Sequence, residues 1–365
     1  QIDGPLVGLS RWGGQSLVAA AVAIAAVAIS QAIMQRSLVV PVSIVTLLLV
    51  AGVIALRPVP TSHAREIGIA LVQGGTSQEG PNGQQQWKVF DQHVQQTQRL
   101  GRAVAAGREK RPDLIVWPEN STDIDPINDL QARHALIALA NGLKTSFLIG
   151  GVTWLNNPYG PRNAGILWVP SLGPKYMYVK NHLVPFGEYV PLRSVLASRV
   201  GRLNQIPADF VPGRGVGKFS VAGQVIGDAI CFEVAHEDYM TKLVQAGANV
   251  LMVQTNNATY LGTHQSEQQF AIARFRAIEH QRPLVMVSTT GVSGFIGESG
   301  EVVAKTQQGE ATYRVVQVAG SNQTTFADEH PDWVRNASIA FFIALCFGRT
   351  LNKRRVSKKL ADANG

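Results

Sequence analysis

Three apolar runs in this sequence each end in a side chain that could do chemistry. Asp113-Leu-Ile-Val-Trp-Pro-Glu119 reads as a strand stopped by Pro118, with a carboxylate just beyond it. Tyr176-Met-Tyr-Val-Lys180 alternates like a strand and ends in an amine. Val225-Ile-Gly-Asp-Ala-Ile-Cys231 reads as a buried strand whose last position is a thiol. Singly, each has an ordinary explanation: an inert core cysteine, a helix-start glutamate, a solvated lysine. Together they suit nucleophilic catalysis. A thiol is mostly protonated at neutral pH and only its thiolate attacks, so Cys231 needs a base. Glu119 can take that proton if burial raises its pKa toward neutrality. Lys180 would favour the thiolate and then stabilise an oxyanion. Glu188 or Glu233 could fix the ammonium by a charge-assisted hydrogen bond.

For these residues to meet, the chain between them must build a sheet. Short apolar runs recur at Ile67–Val72, Leu114–Trp117, Phe147–Val152, Ile166–Val169, Val225–Cys231, Val250–Val253 and Leu284–Ser288. Helical patterns lie between them at Gln84–Ala106, Leu130–Leu143 and Gln265–His280, and Gly297-Glu-Ser-Gly300 marks a hairpin. Strands alternating with helices predict an α/β sheet covered by helices, and ligands of such sheets bind at the carboxyl ends of strands. The eight histidines are scattered without ligand spacing, so neither metal nor cofactor is expected.

Charged residues make up only 16% of the 365 positions because two runs carry none: 24 residues between Arg11 and Arg36, and 20 between Arg36 and Arg57. A helix of about 20 residues crosses a bilayer, which predicts membrane helices at 15–34 and 38–56. The stretch 57–65 reads as a linker out of the second. A third apolar stretch, 333–348, precedes a basic tail, 349–365, that holds Arg349, Lys353, Arg354, Arg355, Lys358 and Lys359. Basic residues concentrate on the cytoplasmic side, so the tail and the Gln35-Arg36 turn are expected inside and residues 65–322 outside. The net charge of +8 then reads as a topology signal that also meets anionic headgroups, rather than a nucleic-acid patch. Cys346 falls within the third stretch and is not expected to pair with Cys231. The chain opens at Gln1 in loop-like sequence without a methionine, and earlier residues are expected to be missing.

Three motifs carry a family resemblance. Trp117-Pro-Glu119, Lys180-Asn-His-Leu-Val-Pro-Phe-Gly-Glu188-Tyr-Val-Pro and Ile230-Cys231-Phe-Glu233 resemble the apolipoprotein N-acyltransferases, membrane members of the nitrilase superfamily. Asn256-Asn-Ala-Thr-Tyr260, Ala277-Ile-Glu-His-Gln-Arg-Pro283 and Asp3-Gly-Pro-Leu extend the likeness along nearly the whole chain. The resemblance implies a nitrilase-like α-β-β-α sandwich flanked by transmembrane helices. It implies Glu119 as base, Lys180 as oxyanion-stabilising residue and Cys231 as nucleophile. Glu188, Glu233, Asn163 and Tyr260 would be supporting or substrate-binding residues. Two departures stand out. Where many members have Asn-Asp-Ala-Trp-Phe-Gly, this chain has Asn256-Asn-Ala-Thr-Tyr-Leu-Gly262, and it shows two spans before the catalytic domain where the family has more.

The resemblance implies a multi-pass enzyme of the bacterial cytoplasmic membrane with its catalytic domain outside. A phospholipid would give its acyl chain to Cys231, and the α-amine of a diacylglyceryl-cysteine at the N-terminus of an apolipoprotein would take it. The alternatives are a membrane-anchored carbon-nitrogen hydrolase acting on a small soluble amide, and a non-enzymatic binding module with a dead nitrilase fold.

Overall fold

The computed structural model describes residues 2–35, 39–56, 63–75, 83–122, 124–193 and 208–363. The chain opens with a 3-10 turn, Pro5–Leu9, and helix α1, Ser10–Gln35, kinked at Gly13 and Gly14. Helix α2 follows at Val39–Ala55. The segment Pro5–Met34 is long and apolar enough to cross a membrane, whereas α2 and the apolar stretch Trp333–Gly348 are shorter. That last stretch does not end where the basic tail begins: one helix, α8, runs from Trp333 to Ala363. The expected linker 57–65 is shorter than read, because β1 already starts at His63; residues 57–62 and Arg36 lie outside the described residues.

From β1, His63–Gln73, the chain builds two six-stranded sheets. The first orders β12 (Thr312–Ser321), β1, β2 (Leu114–Val116), β3 (Ser146–Asn156), β4 (Tyr159–Val169) and β5 (Gly173–Val179). The second orders β11 (Val302–Lys305), β10 (Gly294–Ile296), β9 (Leu284–Ser288), β8 (Val250–Thr255), β7 (Gln224–Ile230) and β6 (Lys218–Val221). In each, a parallel centre is flanked by antiparallel strands: β1, β2 and β3 are parallel in one, β7, β8 and β9 in the other.

The period-2 pattern of these strands explains the layers, since successive side chains must find cover on both faces. Ile67, Ile69, Leu71, Leu114, Val116 and Leu148 meet Ile226, Val250, Met252, Val285 and Val287 between the sheets. On the outer face of the first sheet, Ala70, Val72, Ile115 and Trp117 are covered by Phe90 and Leu100 of α3 (Gly83–Ala105) and Leu136 of α4 (Leu130–Leu143). On the other side, Ala229, Leu251 and Val253 are covered by Met240 and Leu243 of α5 (Glu237–Gln245) and by Phe270, Ala273 and Ala277 of α6 (Gln265–His280). The result is the α-β-β-α sandwich that the resemblance implies. Each fully buried aliphatic or aromatic side chain contributes roughly 1.5–3 kcal/mol, so the four layers are held chiefly by these three apolar seams.

The N-terminal helix docks on this sandwich. Arg11 donates to the carbonyls of Ile278 and Ala55, and the Trp333 indole donates to the Trp12 carbonyl. A short helix, α7 (Phe326–Glu329), is capped by Thr325 and anchored by Asp328 against His280.

Candidate active site

The first parallel centre delivers Glu119. Strand β2 ends at Val116, and Pro118 turns the chain so that Glu119 faces the seam between the sheets. Gly150 on β3 makes room for the turn: a Cβ there would stand 2.3 Å from the Pro118 carbonyl oxygen. Strand β5 ends at Val179 and hands over Lys180 one residue later. Strand β7 ends at Ile230, so the expectation that Cys231 is its last residue is off by one. Cys231 instead opens a 3-10 turn, Cys231–Ala235, with φ of +52°. That left-handed conformation is costly for a residue with a Cβ and recurs at functional sites. It lifts the thiol out of the β pleat.

The structure brings four of the seven candidate residues into one bonded group, with a fifth, Cys231, beside it. Lys180 Nζ lies 3.0 Å from Glu119 Oε1 and 3.0 Å from Glu188 Oε2. Asn163, inside β4, donates its Nδ2 to Glu119 Oε1 and to Glu188 Oε1, both at 2.6 Å. Glu119 Oε2 accepts from the Asn256 backbone N–H at 2.8 Å, and Glu188 Oε2 from that of Val184 at 2.8 Å. Lys180 is only 1% exposed and Glu119 only 4%. Cys231 is partly exposed and stands beside this group, where the charges of Glu119 and Lys180 act on its thiol.

The electrostatics follow from that enclosure. Burial disfavours the Lys180 ammonium, but the carboxylates of Glu119 and Glu188 outweigh it, so the amine is held well above its ordinary value and stays charged. Burial, followed by the negative charge of Glu119, pushes the Cys231 thiol up to about 12, while Lys180 and a hydrogen bond from Thr255 pull the other way. Lys180 therefore favours the thiolate in the expected direction, but it does not win. The resting sulfur is a thiol, and a proton acceptor must act as it attacks.

Of the two carboxylates expected as alternatives for the ammonium, Glu188 is the one that reaches it and Glu233 has another role. It does not touch Lys180. Its Oε1 accepts from the Tyr178 hydroxyl at 2.7 Å and the backbone N–H groups of Asn181 and His182, and its Oε2 accepts from Ile230 N at 2.8 Å. It thus ties the segment after Lys180 to the turn at Cys231. Tyr260 sits in a short 3-10 turn, Ala258–Tyr260, and is half-buried. Burial, then the neighbouring Cys231 and Glu119, raises its pKa.

Two contacts to the sulfur escaped sequence reasoning. Thr255 Oγ1 lies 3.2 Å from Sγ and Gln269 Nε2 3.7 Å. Thr255 ends β8, so the strand-end rule that picked out the other residues would have found it. Gln269 is one polar residue among many on α6, with nothing in the sequence to mark it.

His182, His236 and Asp238 bring potential ligand atoms within 4.8 Å of one another. The two imidazoles stack face to face at 4.0 Å, however, which points their in-plane lone pairs past each other rather than at one ion.

Residues 68–325 match the carbon-nitrogen hydrolase family. The chain is 30% identical to an apolipoprotein N-acyltransferase of Mycolicibacterium smegmatis over 99% of its own length and 64% of that protein's. It is 29% identical to one of Geobacter metallireducens over 77% of its length and 54% of that protein's. It therefore spans between half and two thirds of these relatives. Among solved structures, it resembles a CN-hydrolase superfamily protein of Xanthomonas campestris, with a TM-score of 0.53 and 14% identity, covering 74% of this chain and 96% of that one. It also resembles an amidase from Nesterenkonia sp., with a TM-score of 0.52 and 18% identity, covering 75% and 98%. At those identities the likeness speaks to fold alone.

Proposed function

This chain belongs to the carbon-nitrogen hydrolase family, and from that premise we propose that it is an N-acyltransferase with Cys231 as nucleophile, Glu119 as base and Lys180 as oxyanion-stabilising residue. The observation that carries the reading is the extent of the likeness. The amidase fold corresponds to about three quarters of the chain, whereas the acyltransferase of Mycolicibacterium smegmatis aligns with 99% of it, the N-terminal apolar helix included. A soluble amide needs no such helix. Lipid substrates do, because a site at the bilayer surface spares them extraction into water.

In the first half-reaction the Cys231 sulfur attacks the ester carbonyl of a phospholipid while Glu119 takes the thiol proton. The oxyanion is stabilised by the Lys180 ammonium, which Glu119 and Glu188 already hold in place. Collapse breaks the C–O bond, and the lysophospholipid alcohol leaves with the proton from Glu119. In the second, the α-amine of a diacylglyceryl-cysteine attacks the thioester, Glu119 accepts a proton from nitrogen, and the thiol is restored as the amide forms. Asn163 orients both carboxylates, and Glu233 fixes the two segments that carry Lys180 and Cys231. Tyr260, half-buried in the turn after β8, would be a contact for the incoming acyl donor. The α1 and α2 helices, with the apolar start of α8, anchor the domain to the outer face of the bacterial cytoplasmic membrane, the basic tail inside.

The test is mass spectrometry of the intact protein after mixing with phospholipid vesicles. An added acyl mass at Cys231, released by hydroxylamine and by a diacylglyceryl-modified N-terminal peptide, is expected. Labelling that persists in Cys231→Ala, or hydrolysis of a soluble amide with no acyl adduct, would overturn the reading.

A further inference from the structure

Asp228 is a buried ionisable residue that this chemistry leaves unused. It stands on β7 three positions before Cys231, and neither of its carboxyl oxygens meets a donor among the described residues. Gln254, on the adjacent strand β8, is equally buried. Its Nε2 donates to the Trp117 carbonyl oxygen at 2.5 Å, and its Oε1 is left without a partner. Ile230 pairs with Gln254 and Asp228 with Met252, so both polar side chains share the strand face turned toward the first sheet.

Opposite them on β4 is Gly165. A methyl group at that position would stand 2.1 Å from Asp228 Oδ2 and 2.8 Å from Gln254 Oε1. The two oxygens therefore converge on one small space that exists because residue 165 has no side chain.

The hydrogen-bond inventory of this space allows one protonation state. The Trp117 carbonyl only accepts, so the amide of Gln254 must turn its NH2 toward it and its oxygen toward Asp228. An ionised carboxylate also only accepts, and two acceptors facing each other in a dry seam repel. A carboxylic acid donates. We propose that Asp228 is a neutral acid and that the chain from its O–H to Gln254 Oε1, and from Gln254 Nε2 to the Trp117 carbonyl, positions Glu119 against Cys231. Burial and then the charge of Glu233 raise the Asp228 pKa well above its ordinary value, in the same sense. Trp117 lies two residues before Glu119 and Asp228 three before Cys231, so the chain couples the two sheets just behind the reacting atoms. Both are positioning residues. Their role rests on the assignment of Glu119 and Cys231 given above.

Infrared difference spectroscopy of the full protein against Asp228→Asn should show the carbonyl stretch of a protonated carboxyl group at neutral pH. Its absence overturns the proposal. Asparagine can still donate, so Asp228→Asn should keep thioester formation within about threefold. Asp228→Leu and Gln254→Leu should lower kcat by on the order of tenfold or more, with KM little changed, because small misplacements of reacting groups cost that much. An Asp228→Asn variant as impaired as Asp228→Leu would refute the positioning role. The infrared band does not depend on turnover: if the wild type forms no thioester, the acyl-transfer reading fails while the band still decides the protonation state. Should the leucine variants fold poorly, a more than about tenfold loss of kcat in a well-folded Asp228→Asn overturns the positioning role, and the band decides the protonation state independently.

Discussion

Replacing Glu119 by glutamine should make Cys231 more reactive toward a simple alkylating reagent while making it a poorer catalyst. Glutamine keeps the shape and removes one negative charge, the largest cause after burial of the raised thiol pKa of about 12. A unit charge at contact distance shifts a neighbour by roughly 1–3 pK units, so the thiol should fall to roughly 9–11. At pH 8 that raises the thiolate fraction roughly 10- to 1,000-fold. A less basic thiolate is a weaker nucleophile, with a Brønsted slope of about 0.4–0.5, which leaves a net gain in alkylation rate of roughly 3- to 40-fold. Acyl transfer needs the proton removed as the bond forms, so it should drop by about 10²–10⁴-fold. The assay is the rate of iodoacetamide labelling followed by mass spectrometry at pH 8, set beside thioester formation from phospholipid vesicles. If both rates fall together, Glu119 does not suppress the thiolate and the electrostatic account is wrong. If alkylation is unchanged, the carboxylate does not face the sulfur.

Lys180→Met would leave Glu119 and Glu188 sharing a buried site without their cation. Stability should fall by about 3–5 kcal/mol, seen as a lower melting temperature, and thioester formation by about 10²–10³-fold. Gly150→Ala would push a methyl group into the Pro118 carbonyl 2.3 Å away; a cost of about 1–3 kcal/mol is expected, with acyl transfer reduced more than stability alone explains because Glu119 moves with the turn. The buried pair His280–Asp328, 2.6 Å apart, should be a pH-dependent clamp on α7. For His280, burial opposes the charge but Asp328 and Glu279 outweigh it and raise its pKa; for Asp328, burial raises but His280 and the Thr325 contacts lower the net value. The histidine's contribution is complete below its unfolded value of about 6.5 and lost as pH rises through the raised one, while the aspartate's is lost only as pH falls below about 4. The difference in melting temperature between wild type and Asp328→Asn should be widest at about pH 4–6.5 and narrow above; a gap that grows with pH would refute the pairing.

The elements were readable wherever a single periodicity held. Leu130–Leu143, Gln265–His280 and Leu284–Ser288 begin and end where the apolar pattern does. Strand β4 extends from Tyr159, well before the apolar run at Ile166, because its first half is Pro, Arg and Asn whose cover comes from β3 across a long hairpin and not from their own hydrophobicity. The site was legible as residue types at strand ends. Its wiring was not. Nothing in the sequence distinguishes Glu188, which reaches the ammonium, from Glu233, which is turned away by the backbone N–H groups that surround it. The single-residue error at Cys231 has a similar origin: an apolar run marks burial, and it is the positive φ, invisible in composition, that ends the strand.

One side chain joins the apolar N-terminus directly to the turn that carries the thiol. Arg276 on α6 is buried and donates to the carbonyls of Val234 at 2.9 Å and Ala235 at 3.0 Å, which close the turn opened by Cys231. The same guanidinium donates to Gln15 Oε1 on α1 at 3.0 Å and pairs with Glu279. Two turns earlier on the same helix, roughly 10 Å away, Gln269 reaches the sulfur. A planar guanidinium with its fixed fork of donors can hold four oxygens in register in a way a lysine ammonium cannot. The strained conformation at Cys231 persists only if its surroundings over-determine it, and here part of that determination comes from a helix apolar enough to lie in a membrane. The apolar helix and the geometry of the nucleophile are therefore mechanically joined. Loosening α1 should be felt at the sulfur even though no residue of α1 is among those that contact it.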